Sequence, residues 1–318
     1  MIKRSKFELG LVLCAGILHK KTDPDKHGHG YPAKILVMLK RSLSLFLMLA
    51  AILMLGCSQS ESATSVPSPA TAAPIVSATT TDTDVWQPAP RTSWQWQLNG
   101  LPIDRSFDVE MYDIDLFDND AATVSALHDE GRIVICYMNA GGWEDWRPDA
   151  AKFPEEIIGK NLDGWEDERW LDIRRLDVLA PIMEDRMIAC KNKGFDGIEP
   201  DNVDGYLNST GFDLTANDQR EFNIWLAETA HERGLSIGLK NDMDQAPELV
   251  QYFYWTLNEE CFQFQECETL QPFIDAGKAV FNVEYSLDAD EFCPEAKALG
   301  FNSLKKNLDV DAWRESCD

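Results

Sequence analysis

The chain has 318 residues and a formal net charge of −25, long enough for one large domain with appendages or for two small domains. Its hydrophobic content of 44%, with ten Trp and fifteen Phe, provides for a substantial core. Residues 1–57 hold 9 of the 29 basic residues and 3 of the 54 acidic ones, so the remainder carries −31. That field speaks against nucleic acid and anionic lipid headgroups as partners and favours a cationic ligand, unless it is a general adaptation to salt.

In chain order, "MLKRSLSLFLMLAAILMLGCSQS" begins at Met38 with a basic start, an apolar run from Leu43 to Leu55 and then Gly-Cys. This is the layout of a secretory signal. Its ending resembles a bacterial lipoprotein cleavage site, with Cys57 as the lipidated residue and an anchor there as the only membrane attachment. The run is short of the roughly 20 residues a spanning helix needs. Residues 1–37 stand upstream of a complete signal, so translation is expected to start at Met38, 1–37 otherwise being an extension. Residues 58–85, rich in Ser, Thr, Ala and Pro and without aromatics, read as a disordered tether. The folded domain is expected over 86–318.

From there strand and helix patterns alternate. Strand character appears at 93–98, 107–117, 132–140, 194–201, 235–241, 251–259, 279–285 and 301–307. The run "RIVICYMNA" between Gly131 and Gly141 reads as a strand buried on both faces. Helical spacing marks 177–190 and 217–233, with Gly234 placed to stop the second, and "EFCPEAKALG" ends on Gly300 in the same way. Eight such units predict a single α/β domain, a closed (β/α)8 TIM barrel. A doubly wound open sheet is the alternative, but no Gly-rich phosphate loop follows any strand. Six cysteines fall in the domain (136, 190, 261, 267, 293 and 317), and an even number in an exported domain predicts disulfides. Six allow 15 pairings, and spacing does not choose among them.

In a barrel the chemistry gathers where the strands end. The ends read "YDIDLFD", "YMNAGGWEDWRPD", "EPDN", "LKND", "NEEC", "VEY" and "KKNLD", so nearly every one carries a carboxylate, amide, lysine or aromatic. The stretch "DGIEPDNVDGY" places Glu199, Asp201 and Asp204 together. A calcium-loop alignment on Gly205 fails at Pro200 and Gly211, and no zinc spacing is present. Glycoside hydrolysis instead needs two carboxyl groups flanking one bond. The fourth strand supplies Asp201, and the sixth supplies Glu259 or Glu260. Trp143, Trp146, Tyr206 and Tyr285 would offer faces for sugar rings, whereas Trp94, Trp96 and Trp255, inside strands, read as core.

The segments "YDIDLFD", "ICYMNAGGWEDWRPD", "GWEDERWLDIR", "GFDGIEPDNVDGY", "LKND" and "NEECFQFQEC" together resemble the endo-α-1,4-polygalactosaminidase family, glycoside hydrolase family 114, from about Trp94 to the C-terminus. The resemblance implies a barrel enzyme that cuts α-1,4-linked galactosamine in secreted polysaccharide. It implies Asp201 as nucleophile and Glu259 as acid/base, with Glu260 the alternative, in a retaining mechanism without metal or organic cofactor. Lys240 is expected to keep Asp201 ionised, and Asp113, Asp115, Glu144 and Glu284 to line the cleft as subsites. Tyr137, Trp143, Glu199, Asn202, Tyr206, Asn241, Glu260 and Tyr285 complete the expected substrate contacts. The protein is expected to be monomeric and exported, lipid-anchored to the bacterial envelope or secreted. A carbohydrate-binding barrel without turnover and a metal-dependent hydrolase remain the competing readings.

Overall fold

The computed structural model describes residues 85–317. The expected export signal, the expected lipidation at Cys57 and residues 58–84 of the expected tether lie outside them. In chain order the strands are β1 (Trp94–Gln97), β2 (Met111–Asp115), β3 (Ile133–Asn139), β4 (Gly142–Glu144), β5 (Ile158–Leu162), β6 (Trp165–Leu171), β7 (Gly197–Asp201), β8 (Ser236–Lys240), β9 (Trp255–Glu259), β10 (Ala279–Glu284), β11 (Asn302–Lys306) and β12 (Arg314–Ser316). The main sheet runs β1-β2-β3-β7-β8-β9-β10-β11-β12. Every pairing in it is parallel except the antiparallel β12 on β11. Its first eight members are the eight predicted strands. The edges meet through side chains: the Trp94 indole donates to the Asn302 carbonyl at 2.9 Å, and the Arg314 guanidinium donates to the Trp94 carbonyl. The sheet is therefore a nearly closed (β/α)8 barrel, and the open doubly wound alternative is overturned.

Helices α1 (Ala121–Asp129), α2 (Leu176–Lys193), α3 (Ala216–Glu232), α4 (Ala246–Leu249), α5 (Gln271–Asp275) and α6 (Ala289–Leu299) occupy the crossovers. Local chemistry sets their ends. Asp120 accepts the Thr123 N–H to cap α1, and Thr215 with Asp218 forms a capping box on α3. Gly300 closes α6 with φ 80°, a left-handed turn that a side chain resists. Trp94, Trp96, Trp255, Leu257, Phe281 and Val283 fill the barrel interior, as expected of tryptophans inside strands. A second apolar layer packs the outer strand faces against the helices.

All six domain cysteines pair. Cys136–Cys190 ties β3 to α2, Cys261–Cys267 closes the loop after β9, and Cys293–Cys317 ties α6 to the C-terminal segment. One element was not anticipated: β4, β6 and β5 form a separate antiparallel sheet between β3 and α2. It grows from the C-terminal end of β3, beside the mouth of the barrel.

Candidate active site

Three adjacent barrel strands end on a charged residue. Asp201 is the last residue of β7, Lys240 of β8 and Glu259 of β9. Each is followed by a non-glycine residue in the left-handed region: Asn202 at φ 60°, Asn241 at φ 49° and Glu260 at φ 61°. Such residues are uncommon and cost conformational energy, and they persist where surrounding bonds over-determine them. Here the turned residues keep their ladder bonds, Asn241 N–H donating to the Leu257 carbonyl at 2.8 Å and Glu260 N–H to the Val283 carbonyl at 2.7 Å. At the first turn, Ala140 and Gly141 donate to the Asp201 carbonyl at 3.0 and 3.1 Å. A Cβ on Gly141 would fall 1.8 Å from the Asn202 carbonyl oxygen, which explains a glycine there.

The three charges converge. Lys240 Nζ lies 3.0 Å from Glu199 Oε1, 3.0 Å from Asp201 Oδ1 and 3.3 Å from Glu259 Oε2. Asp201 Oδ1 and Glu259 Oε2 therefore stand no farther apart than the sum of the last two distances. Glu199 and Lys240 are sealed, with side chains 0% and 2% exposed, whereas Asp201 and Glu259 keep 19% and 28% open to solvent. The accessible carboxylates are thus the two at the strand tips.

Burial alone would raise the Asp201 carboxyl. The Lys240 ammonium, the Asn202 N–H at 2.8 Å and the Tyr137 hydroxyl at 2.9 Å more than offset it and hold Asp201 below the usual carboxylate value. Burial also works against the charge on Lys240, but Asp201, Glu199 and Glu259 hold its proton well above the ordinary lysine range. Glu259 accepts from the Tyr285 hydroxyl and from Asn241 Nδ2 at 3.3 Å, while Asn241 Oδ1 accepts the Glu259 N–H at 3.0 Å. Glu260 is half-buried and outside this network. Burial, then repulsion by Glu259, raises its carboxyl.

Several expected substrate contacts are corrected by burial. Glu199 lies beneath the site, accepting from the Trp96 indole at 3.1 Å as well as from Lys240. Asp113 is fully buried deeper still against Glu199, and neither of its oxygens meets another donor. Burial, then the Glu199 charge, drives Asp113 well above the usual carboxylate range, which favours a proton shared between it and Glu199. Asp115 is held by two bonds from Arg147 and accepts the N–H groups of Phe117 and Asp118. Glu144 bonds the same guanidinium at 2.8 Å. Glu284 accepts the N–H groups of Phe262 and Gln263 and so fixes the loop after β9. None of these five lines an open cleft.

Lys240 and Asn241 likewise act on the carboxylates, not on open solvent. Trp143 spends its indole N–H on the Ala150 carbonyl at 3.1 Å and lies under the Arg169 guanidinium, so it packs the inserted sheet. Its neighbour Trp146 is the exposed ring, 53% open. Tyr137, Asn202 and Tyr285 stand around the Asp201–Glu259 pair. Tyr206 is half-buried in the turn after β7, its hydroxyl proton held more tightly by burial and by Asp242.

The sequence reading passed over Asn139, Glu168 and Arg147. Asn139 ends β3, accepts from Gly142 N–H at 2.7 Å and Asn202 Nδ2 at 3.1 Å, and donates to Glu168 Oε2 at 3.2 Å. Its place at a strand end was a usable signal. Glu168 lies within the inserted sheet, where no strand-end rule points.

A partly open carboxylate pair seated at the mouth of a (β/α)8 barrel has the parts that a glycoside hydrolase requires. The model of glycoside-hydrolase family GH114 matches residues 76–318, and the chain belongs to that family. Among solved structures it is similar to Ega3 of Aspergillus fumigatus, solved in complex with galactosamine: 43% identity, 73% of this chain and 97% of that chain covered, TM-score 0.70. The glycoside hydrolase domain of PelA from Pseudomonas aeruginosa shares the fold at 12% identity, 71% of this chain and 98% of that chain covered, TM-score 0.57. No curated protein matches the chain.

Proposed function

We propose that the enzyme cleaves α-1,4-linked galactosamine within a cationic polysaccharide, with retention of configuration. The observation that carries this is the seating of Asp201 and Glu259 on one ammonium, Lys240. The bound this places on their separation suits the roughly 5–5.5 Å spacing of a nucleophile and acid/base pair better than the wider gap that leaves room for a water. The complex of the 43% identical Ega3 with galactosamine supports the sugar, and the net −31 outside residues 1–57 suits a polymer of ammonium groups.

In this reading Asp201, kept ionised by Lys240, attacks the anomeric carbon. The bond to the leaving oxygen breaks as Glu259 gives that oxygen its proton, producing a glycosyl-enzyme ester. Glu259 then takes a proton from water, whose oxygen displaces Asp201. Tyr285 and Asn241 hold Glu259 in place, and Tyr137 orients Asp201. Residues 86–318 form the catalytic domain, tethered through 58–85 to a lipid on Cys57. The enzyme works as a monomer at the bacterial envelope, at the outer membrane if the cell is Gram-negative.

Product analysis on partly deacetylated galactosaminogalactan tests the activity. Wild type should release reducing ends whose first-formed anomer is α by NMR, and Asp201→Asn should lower the rate roughly 10⁴-fold with its thermal unfolding unchanged. A fully active Asp201→Asn enzyme sinks the assignment, and a β product replaces retention with inversion. Metabolic labelling with a fatty-acid analogue, lost in Cys57→Ala, tests the anchor.

A further inference from the structure

In the inserted sheet Glu144 of β4 faces Glu168 of β6 directly. Like charges opposite one another on antiparallel strands are destabilising. Arg147 answers only part of this, since its Nε bonds Glu144 Oε1 while Glu144 Oε2 is buried without any partner. Glu168 is half-exposed, and the hydrogen bond it accepts comes from a neutral amide, Asn139 Nδ2. Asn139 also accepts from Asn202, the residue after Asp201, so a two-amide bridge links Glu168 to the nucleophile's turn. Tyr137, which donates to Asp201, feels the charge of both Glu144 and Glu168. The pair therefore flanks the Asp201 carboxylate and shares one cation, Arg147, which of the two bonds only Glu144 and only through one oxygen.

We propose that Glu168, with the unpartnered oxygen of Glu144 behind it, binds the ammonium group of the amino sugar held beside Asp201, and so selects free amines over N-acetylated sugars. This rests on the galactosamine reading above and adds the residue that enforces it. An ammonium brings three N–H donors and a charge to Glu168, which accepts from a neutral amide, and Glu144 behind it adds its field without touching the sugar. An acetamide brings one N–H, no charge and a methyl group, and leaves the Glu168 charge unanswered. Burial, then repulsion by Glu144 and Asp201, lifts the Glu168 carboxyl to about 8. Arriving ammonium reverses that balance, and the proton leaves as the amine binds.

The test compares wild type with Glu168→Gln, which keeps the shape and the Asn139 contact but removes the charge. On fully deacetylated galactosamine oligomers kcat/KM should fall about 10²-fold, mostly through KM. Calorimetry should show galactosamine binding wild type more tightly than N-acetylgalactosamine does, with the preference gone in Glu168→Gln. Glu168→Asp, which keeps the charge, should restore part of the preference. If folded Glu168→Gln discriminates the two sugars as wild type does, or if wild type binds both alike, the inference falls. Should wild type bind galactosamine selectively yet leave its polymer uncut, the hydrolase reading fails while the ammonium site stands.

Discussion

Two acidic clusters at the mouth are each built around a single cation, and they behave oppositely. Arg147 grips Asp115 at 3.0 and 2.5 Å and Glu144 at 2.8 Å, with Asp118 at 3.8 Å, and the side chains of Asp115 and Glu144 are only 3% and 2% exposed. Lys240 touches Glu199, Asp201 and Glu259 once each and leaves two of them partly open. The difference lies in the head groups. A guanidinium is a planar fork that grips carboxylates in fixed directions and locks them, while an ammonium is a point charge that can be shared. The first cluster pins the inserted sheet to the end of β2. The second holds its charges in place and still leaves two of them partly open to solvent.

The largest effect should come from Lys240. Lys240→Met leaves carboxylates crowded without their counter-ion, and kcat should fall roughly 10³-fold or more as Asp201 gains a proton. Lys240→Arg sharpens the contrast, because it keeps the charge but supplies a fork. If shared point charge is what the site needs, that variant stays nearly as inactive as Lys240→Met in steady-state hydrolysis; wild-type rates would refute the distinction.

Next in size is Arg147→Met, which strands Asp115 and Glu144. Chemical denaturation should show a loss of about 3–5 kcal/mol, while molecules that remain folded keep most of their kcat. A variant that is stable but inactive would move Arg147 into the catalytic machinery. Removing Cys136–Cys190 with paired Cys→Ala changes should cost about 2–4 kcal/mol, and more than removing Cys261–Cys267, because the closed segments differ in separation, 54 against 6.

The smallest effect is on pH dependence. Burial first, then like-charge neighbours, raises Glu168 and Asp242 to about 8 and Asp204 to about 6. A raised carboxyl stabilises the fold fully below its unfolded value near 4, and that contribution is lost as pH climbs through the folded value. Asp201, held low, acts in the other sense and weakens the fold only under strong acid. Between about pH 5 and 9 the raised groups dominate, so Tm should drop by a few degrees as pH increases, at about 2–4 °C per kcal/mol for a domain of this size. A Tm that rises over that range would contradict the burial of these acids.

Much of the barrel was legible in the sequence because buried parallel strands leave near-continuous apolar runs, as in "RIVICYMNA". That Asp201 and Glu259 converge was legible because both stand at the ends of barrel strands. The inserted sheet was not, since β5 and the start of β6 are short, charged and largely exposed and so read as loop. Asp115 and Glu144 were misread for a related reason. A carboxylate at a strand end looks the same whether it faces a sugar or an arginine, and Arg147 lies 32 residues from Asp115. Only folding reveals which acid has already been answered.

The left-handed residues behind Asp201, Lys240 and Glu259 have a consequence for anyone exchanging loops on this scaffold. Each strand-end charge and the kink behind it are inherited as a dipeptide: Asp-Asn, Lys-Asn, Glu-Glu. A graft joined directly after the first member would keep the charged side chain and lose the turn that orients it, so the seam belongs one residue further on.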